Sequence, residues 1–81
     1  MYYVYFIKSL KNKDLYIGSC ENVETRIQKH NNGYVRSTKA YRPWKLMGQE
    51  TFITRGEAVR REKFLKTDQQ KELLKTKFKD L

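Results

Sequence analysis

Residues 2–8 (Tyr-Tyr-Val-Tyr-Phe-Ile-Lys) are aromatic and β-branched up to the closing lysine. Such side chains suit a pleated, packed surface, so the run predicts a strand. A second strand is expected at residues 15–19 (Leu-Tyr-Ile-Gly-Ser), after the polar, turn-prone Lys11-Asn12-Lys13-Asp14. Together the two runs read as a β-hairpin. A two-residue turn at Asn12-Lys13 would set Ser9 opposite Tyr16 and Ile7 opposite Gly18, which puts Tyr5 and Tyr16 on one face. A slip of one residue would separate them.

The period then changes. From about Asn22 to Asn31 the apolar positions Val23 and Ile27 follow helical spacing, with Asn22 as the N-cap and Asn32-Gly33 supplying a left-handed end. Residues 34–43 read as an irregular basic loop. Trp44 to Ile53 predicts a third strand, weakened around Gly48, with Leu46, Phe52 and Ile53 as apolar contacts. Thr54-Arg55-Gly56-Glu57 is a capping-box pattern that opens a helix to about Lys66. Residues 68–79 suggest a last helix through Leu73, Leu74 and Phe78. The expected fold is α+β: a small three-stranded antiparallel sheet flanked by helices, in the order β-β-α-β-α-α. Length points to one domain over residues 1–81, with a core at about 2–66 and a C-terminal helix at about 68–79.

Composition narrows the partners. Eighteen Lys and Arg against nine Asp and Glu give a net charge of +9. A field of that sign concentrates polyanions, and nucleic acid is the usual one. Solubilising lysines on the last helix and an anionic membrane surface are the competing explanations. No apolar run approaches the roughly 20 residues of a membrane span. The apolar N-terminal stretch is short and has no basic segment before it, so a cytoplasmic protein is the default expectation. Cys20 and His30 are the only residues of their kinds, which argues against a disulfide or a structural zinc site. Any metal would need oxygen ligands, making Mg²⁺ or Mn²⁺ the natural candidates.

Charged residues inside apolar stripes are the candidate chemistry. Glu62 is four residues after Ala58 and three before Leu65, within their shared stripe. His30 continues the Val23–Ile27 seam, with Arg26 four residues earlier at its edge. Each has an ordinary structural explanation: an ion pair, a histidine near a helix C-terminus, a snorkelling arginine. Taken together beside a tyrosine-rich hairpin, they supply a metal ligand, a phosphate clamp and proton-transfer groups. Most strand tyrosines are packing residues; beyond that, composition alone does not separate a base-stacking surface from a catalytic one among the six tyrosines.

Tyr3-Val4-Tyr5, followed after the turn by Tyr16-Ile17-Gly18, resembles the two halves of the GIY-YIG nuclease signature. The second half matches letter for letter; the first has Tyr3 for glycine and Val4 for isoleucine. Small bacterial single-domain members, URI-domain and UPF0213-like, often begin in this way. Three further blocks keep the family's order: Glu24 to Asn31 with an arginine and a histidine four apart, Arg42-Pro43-Trp44-Lys45-Leu46, and Thr54 to Lys63 carrying a glutamate. The similarity covers about residues 2–66.

The resemblance implies a metal-dependent endonuclease that hydrolyses DNA phosphodiesters, with repair or recombination as its setting, leaving 5′-phosphate and 3′-hydroxyl ends. Glu62 would hold one divalent cation, Mg²⁺ or Mn²⁺. Arg26 would contact the scissile phosphate, Tyr5 or Tyr16 would orient or deprotonate the attacking water, and His30 would accept that proton or bind phosphate. Gly18 would let the backbone pass close to the site. Lys8, Lys13, Arg36, Lys39 and Arg42 are the expected phosphate contacts, with Lys11 beside them; such contacts position a protein but read no sequence. Target choice would then be structure-led or rest on a protein partner or homodimer. The alternative function is a non-catalytic nucleic-acid-binding module on the same scaffold.

Overall fold

A computed structural model describes residues 1–79, and the last two residues of the expected domain lie outside it. The element order is β1 (Tyr2–Ser9), β2 (Leu15–Cys20), α1 (Val23–Asn31), a short 3₁₀ turn at Lys39–Tyr41, β3 (Trp44–Phe52), α2 (Arg55–Leu65) and α3 (Asp68–Lys77). The sheet is antiparallel with β1 in the middle, in the order β2-β1-β3. A central strand covered on both sides has no solvent face, which explains why Val4 to Ser9 are all buried.

The two faces of β1 carry different loads. Val4 and Phe6 join Leu15, Ile17, Ala58, Leu65 and Phe78 in an apolar core beneath α2 and α3. Tyr5 and Ile7 pack with Val23 and Trp44 on the α1 side, where Tyr3, Tyr16, Cys20 and Ile27 surround them. Each helix begins as its sequence predicts. The Asn22 side chain accepts from the Thr25 amide at 2.9 Å, and Thr54 and Glu57 form the reciprocal capping box. Gly33, at φ +80°, supplies the left-handed residue after α1.

The hairpin register differs from expectation. Ile7, not Ser9, faces Tyr16, and Tyr5 faces Gly18. The connection is longer because Ser9 N–H bonds to the Asp14 carbonyl at 2.9 Å, leaving residues 10–13 as the loop. The Ser9 hydroxyl stabilises that loop by accepting from the Lys11 and Asn12 amides, both at 3.1 Å, and Lys13 takes a left-handed φ of 66°. The shift is by two positions, an even number, so Tyr5 and Tyr16 still share a face.

Two expectations for β3 and one for β1 need correction. Ile53 lies past the end of β3 and is 77% exposed. Leu46 sits on the outer strand at the margin of the α1 layer, lining an open groove with Tyr3 and Ile27. An irregularity between Phe6 and Ile7, where the partner residue jumps from Gly48 to Leu46, resets the side-chain order there. Lys8, expected to reach phosphate, is buried. Its ammonium donates to the Phe78 and Lys79 carbonyls at 3.0 and 3.2 Å. The negative end of α3 draws in that cation, so Lys8 ties the last helix to the sheet.

Candidate active site at the edge of the sheet

β2 is an edge strand, and the flanking helices meet beside it. α1 packs on the sheet face that carries Tyr5 and Tyr16 and brings Arg26 and His30 to it; α2 packs against β1 and β2 from the opposite face and brings Glu62. The α2 stripe from Arg55 through Ala58 to Glu62 and Lys66 follows the edge, each step three or four residues.

Glu62 is partly buried and pairs with Lys66 at 2.8 Å. Burial alone would raise its pKa, but Lys66, the Ser19 hydroxyl and the Arg26 charge more than offset this and leave it below the ordinary value. The carboxylate is therefore ionised at neutral pH. Lys66 also lies over the Tyr16 ring, 5.6 Å from its centroid.

On the α1 face, Tyr5 and His30 have no exposed surface and their hydroxyl and Nε2 are 2.9 Å apart. His30 Nδ1 lies 2.7 Å from the Thr38 hydroxyl. Tyr16 stacks edge-on to His30, ring centroids 5.0 Å apart, and Trp44 closes the cluster against Tyr16 at 6.2 Å. Burial, only partly opposed by the hydrogen-bonded Arg26 guanidinium, pushes the Tyr5 hydroxyl up to about 12. Burial and the Arg26 charge lower His30 to about 4. Resting protonation is thus unambiguous: Tyr5 keeps its proton and His30 is neutral. A neutral, fully buried imidazole offers no charge to a phosphate, and its Nε2 lies against the Tyr5 hydroxyl instead.

Gly18 seats the tyrosine. A Cβ there would lie 2.6 Å from Tyr5 Cζ, well inside van der Waals contact. The last letter of the second triplet is therefore required by the last letter of the first, directly across the ladder.

Arg26 links the two sides. It bonds the Tyr5 hydroxyl and contributes charge to the Glu62 environment, yet its Nε is buried without a hydrogen-bond partner. A buried donor left unpaired costs about 1–3 kcal/mol. Beside it opens a cleft of about 500 Å³ lined by Ser19, Arg26, Lys29 and Arg55 among others. Arg26, Lys29 and Arg55 give the cleft three cations suited to a phosphate backbone. Sequence reasoning passed over Lys29, Arg55, Ser19 and Thr38. Lys29 follows Arg26 by three residues and Arg55 precedes Glu62 by seven, so helical spacing could have flagged both. Nothing local marks Thr38.

The remaining expected contacts are exposed: Lys13, Arg36, Lys39 and Arg42. Arg42 Nε donates to the Lys39 carbonyl at 2.9 Å, and Lys11 Nζ reaches the Ala40 carbonyl at 3.2 Å. The latter bond sets the loop against the hairpin turn, at the opposite end of β2 from Ser19.

Among the described residues no three His, Cys, Asp or Glu side chains cluster. A caged cation is not what these residues would make. One ionised carboxylate beside an open cationic cleft does fit a hard cation that keeps most of its coordination to water and phosphate oxygens. Among the described residues, no helix is long and apolar enough to cross a membrane.

The family model described as the GIY-YIG catalytic domain matches residues 1–77. The match runs through α3, further than the motifs alone reach. The chain is 43% identical to UPF0213 protein SSP2268 of Staphylococcus saprophyticus over 75 residues, covering 91% of this chain and 90% of that protein. It is 44% identical to UPF0213 protein SH2523 of Staphylococcus haemolyticus, with the same coverage. Among solved structures, the solution NMR structure of UPF0213 protein BH0048 from Bacillus halodurans superimposes with a TM-score of 0.55 at 31% identity. That alignment covers 94% of this chain and 84% of that one.

Proposed function

The chain belongs to the GIY-YIG family, and we propose that it is a metal-dependent endonuclease hydrolysing DNA phosphodiesters at the β2 edge. One observation carries the reading. Arg26 from one helix lies close enough to Glu62 on the other for its charge to act on that carboxylate, with the Tyr5 hydroxyl between Arg26 and the His30 Nε2.

Glu62, which pairs with Lys66, would be the protein ligand for one Mg²⁺ or Mn²⁺. When bound, that ion would supply positive charge against the phosphate and the leaving oxygen. Arg26 turns its unsatisfied guanidinium onto the phosphate, stabilising charge in the transition state and uncovering the Tyr5 hydroxyl. Tyr5 is favoured over Tyr16 as the base because its proton already has an acceptor. As it takes a proton from the attacking water, its own passes to His30 Nε2. The water oxygen bonds to phosphorus, the bond to O3′ breaks, and solvent protonates the leaving oxygen, giving 5′-phosphate and 3′-hydroxyl ends. Lys29 and Arg55 hold the backbone in the cleft, and Lys13, Arg36, Lys39 and Arg42 extend the contact along the strand.

Incubation with supercoiled plasmid and Mn²⁺ or Mg²⁺ tests the reading, with Glu62→Gln and Arg26→Ala run alongside. The wild type is expected to nick and both variants to bind without nicking. Glu62→Gln that nicks like the wild type would refute the single-carboxylate site. Salt-sensitive binding with no product from the wild type would favour a non-catalytic binding module.

A further inference from the structure

Thr38 lies in a stretch that reads as an irregular basic loop, yet it is 1% exposed and bonded at every polar atom of its side chain and carbonyl. Its carbonyl accepts from the Trp44 indole N–H at 2.9 Å. Its hydroxyl donates to the Val35 carbonyl at 3.3 Å and stands 2.7 Å from His30 Nδ1. A hydroxyl has one proton to give. With that proton on Val35, the oxygen presents lone pairs to the imidazole, and Nδ1 must carry the ring proton.

The other end of the chain of bonds is compatible with the same tautomer. The Tyr5 hydroxyl is 2.9 Å from His30 Nε2, and its other polar neighbour, Arg26, has only donors to offer. With the ring proton on Nδ1, the Tyr5 proton points at the Nε2 lone pair and both bonds are satisfied.

We propose that Thr38 is a positioning residue that fixes His30 as the Nδ1–H tautomer, holding the Nε2 lone pair against the Tyr5 hydroxyl. Without it, a neutral imidazole is free to place its proton on Nε2. The bond to Tyr5 then reverses, and the tyrosine has nowhere to send its proton. The catalytic consequence rests on the nuclease reading, whereas the tautomer does not. Trp44 belongs to the same device, because its indole holds the loop that carries Thr38.

His30 is the only histidine in the chain, so one imidazole spin system reports the state directly. In ¹⁵N-detected NMR of the wild type near pH 7, Nδ1 is expected at a protonated, pyrrole-like shift and Nε2 at an unprotonated, pyridine-like one. Thr38→Val, which keeps the shape and removes the hydroxyl, should move the proton toward Nε2, and Thr38→Ser should restore it. A wild-type spectrum showing Nε2–H would overturn the assignment without any variant having to fold. A Thr38→Val spectrum unchanged from wild type would remove Thr38 as its cause. On plasmid, Thr38→Val should lower kcat roughly 100-fold with KM little altered, and Thr38→Ser should recover it. A shifted tautomer with full kcat would strike Thr38 from the reaction. Absence of cleavage by wild type showing the expected tautomer would count against the nuclease reading alone, leaving the positioning role in place.

Discussion

The two faces of β1 are built from the same strand but by opposite rules. Towards α2 and α3, Val4 and Phe6 meet Leu15, Ile17, Ala58, Leu65 and Phe78, with no hydrogen-bonding side chain among them. Towards α1, Tyr5 buries a hydroxyl against a neutral histidine, which rests on a threonine. Burying polar groups is tolerated only when each finds a partner. The second face meets that condition with a linear chain of bonds, and the buried donor left open among the described residues, Arg26 Nε, lies beside the cleft. The apolar face holds the sheet to its helices, and the polar face sets protons in place.

Substitution should separate the two. Ile17→Ala, on the apolar face, is expected to cost roughly 2–5 kcal/mol of stability, read from urea unfolding, while the folded fraction still cleaves. Tyr5→Phe, one ladder position away, should lower kcat by about 10²-fold or more. Its stability cost should be nearer 1–3 kcal/mol, from the His30 acceptor left unpaired. Equal losses of stability and activity in both variants would erase the distinction.

Acid should attack the polar face first. His30 is depressed to about 4 in the folded protein, against about 6.5 unfolded. Between those values the unfolded chain binds a proton that the folded one refuses. Stability is therefore full above pH 6.5 and falls as pH drops towards 4, by about 3 kcal/mol. Denaturant midpoints measured from pH 7 to 4 should show this loss, and His30→Gln should flatten that part of the curve. The smallest effects belong to the cleft. Lys29→Ala and Arg55→Ala should each weaken DNA binding uniformly across sequences and reduce the salt slope by about 1.

Much of this organisation was legible before any coordinates, because periodicity reports which face a residue occupies. The capping box at Thr54 and Glu57, the Asn22 cap and the β-β-α-β-α-α order all follow from spacing, whereas Tyr5 and Tyr16 share a face as expected only because the register moved by an even number. What spacing does not carry is chain closure. The hairpin register turned on a Ser9–Asp14 bond and a left-handed Lys13, neither of which the hydrophobic pattern encodes. Lys8 looked like any surface lysine because its partners, carbonyls at the end of α3, are about 70 residues away. Thr38 was hidden for the same reason: its importance comes from a histidine on another element.

The central claim is that the edge of β2, where Arg26, Ser19 and Glu62 converge, is the seat of a divalent cation at a phosphodiesterase site. Substoichiometric Mn²⁺ added to ¹⁵N-labelled protein maps that seat through paramagnetic broadening of backbone amides. Loss of signal centred on Ser19, Arg26, Glu62 and Lys66, and abolished by Glu62→Gln, is the predicted result. Broadening centred on Asp68 and Glu72 instead, or a pattern unchanged by Glu62→Gln, would contradict it.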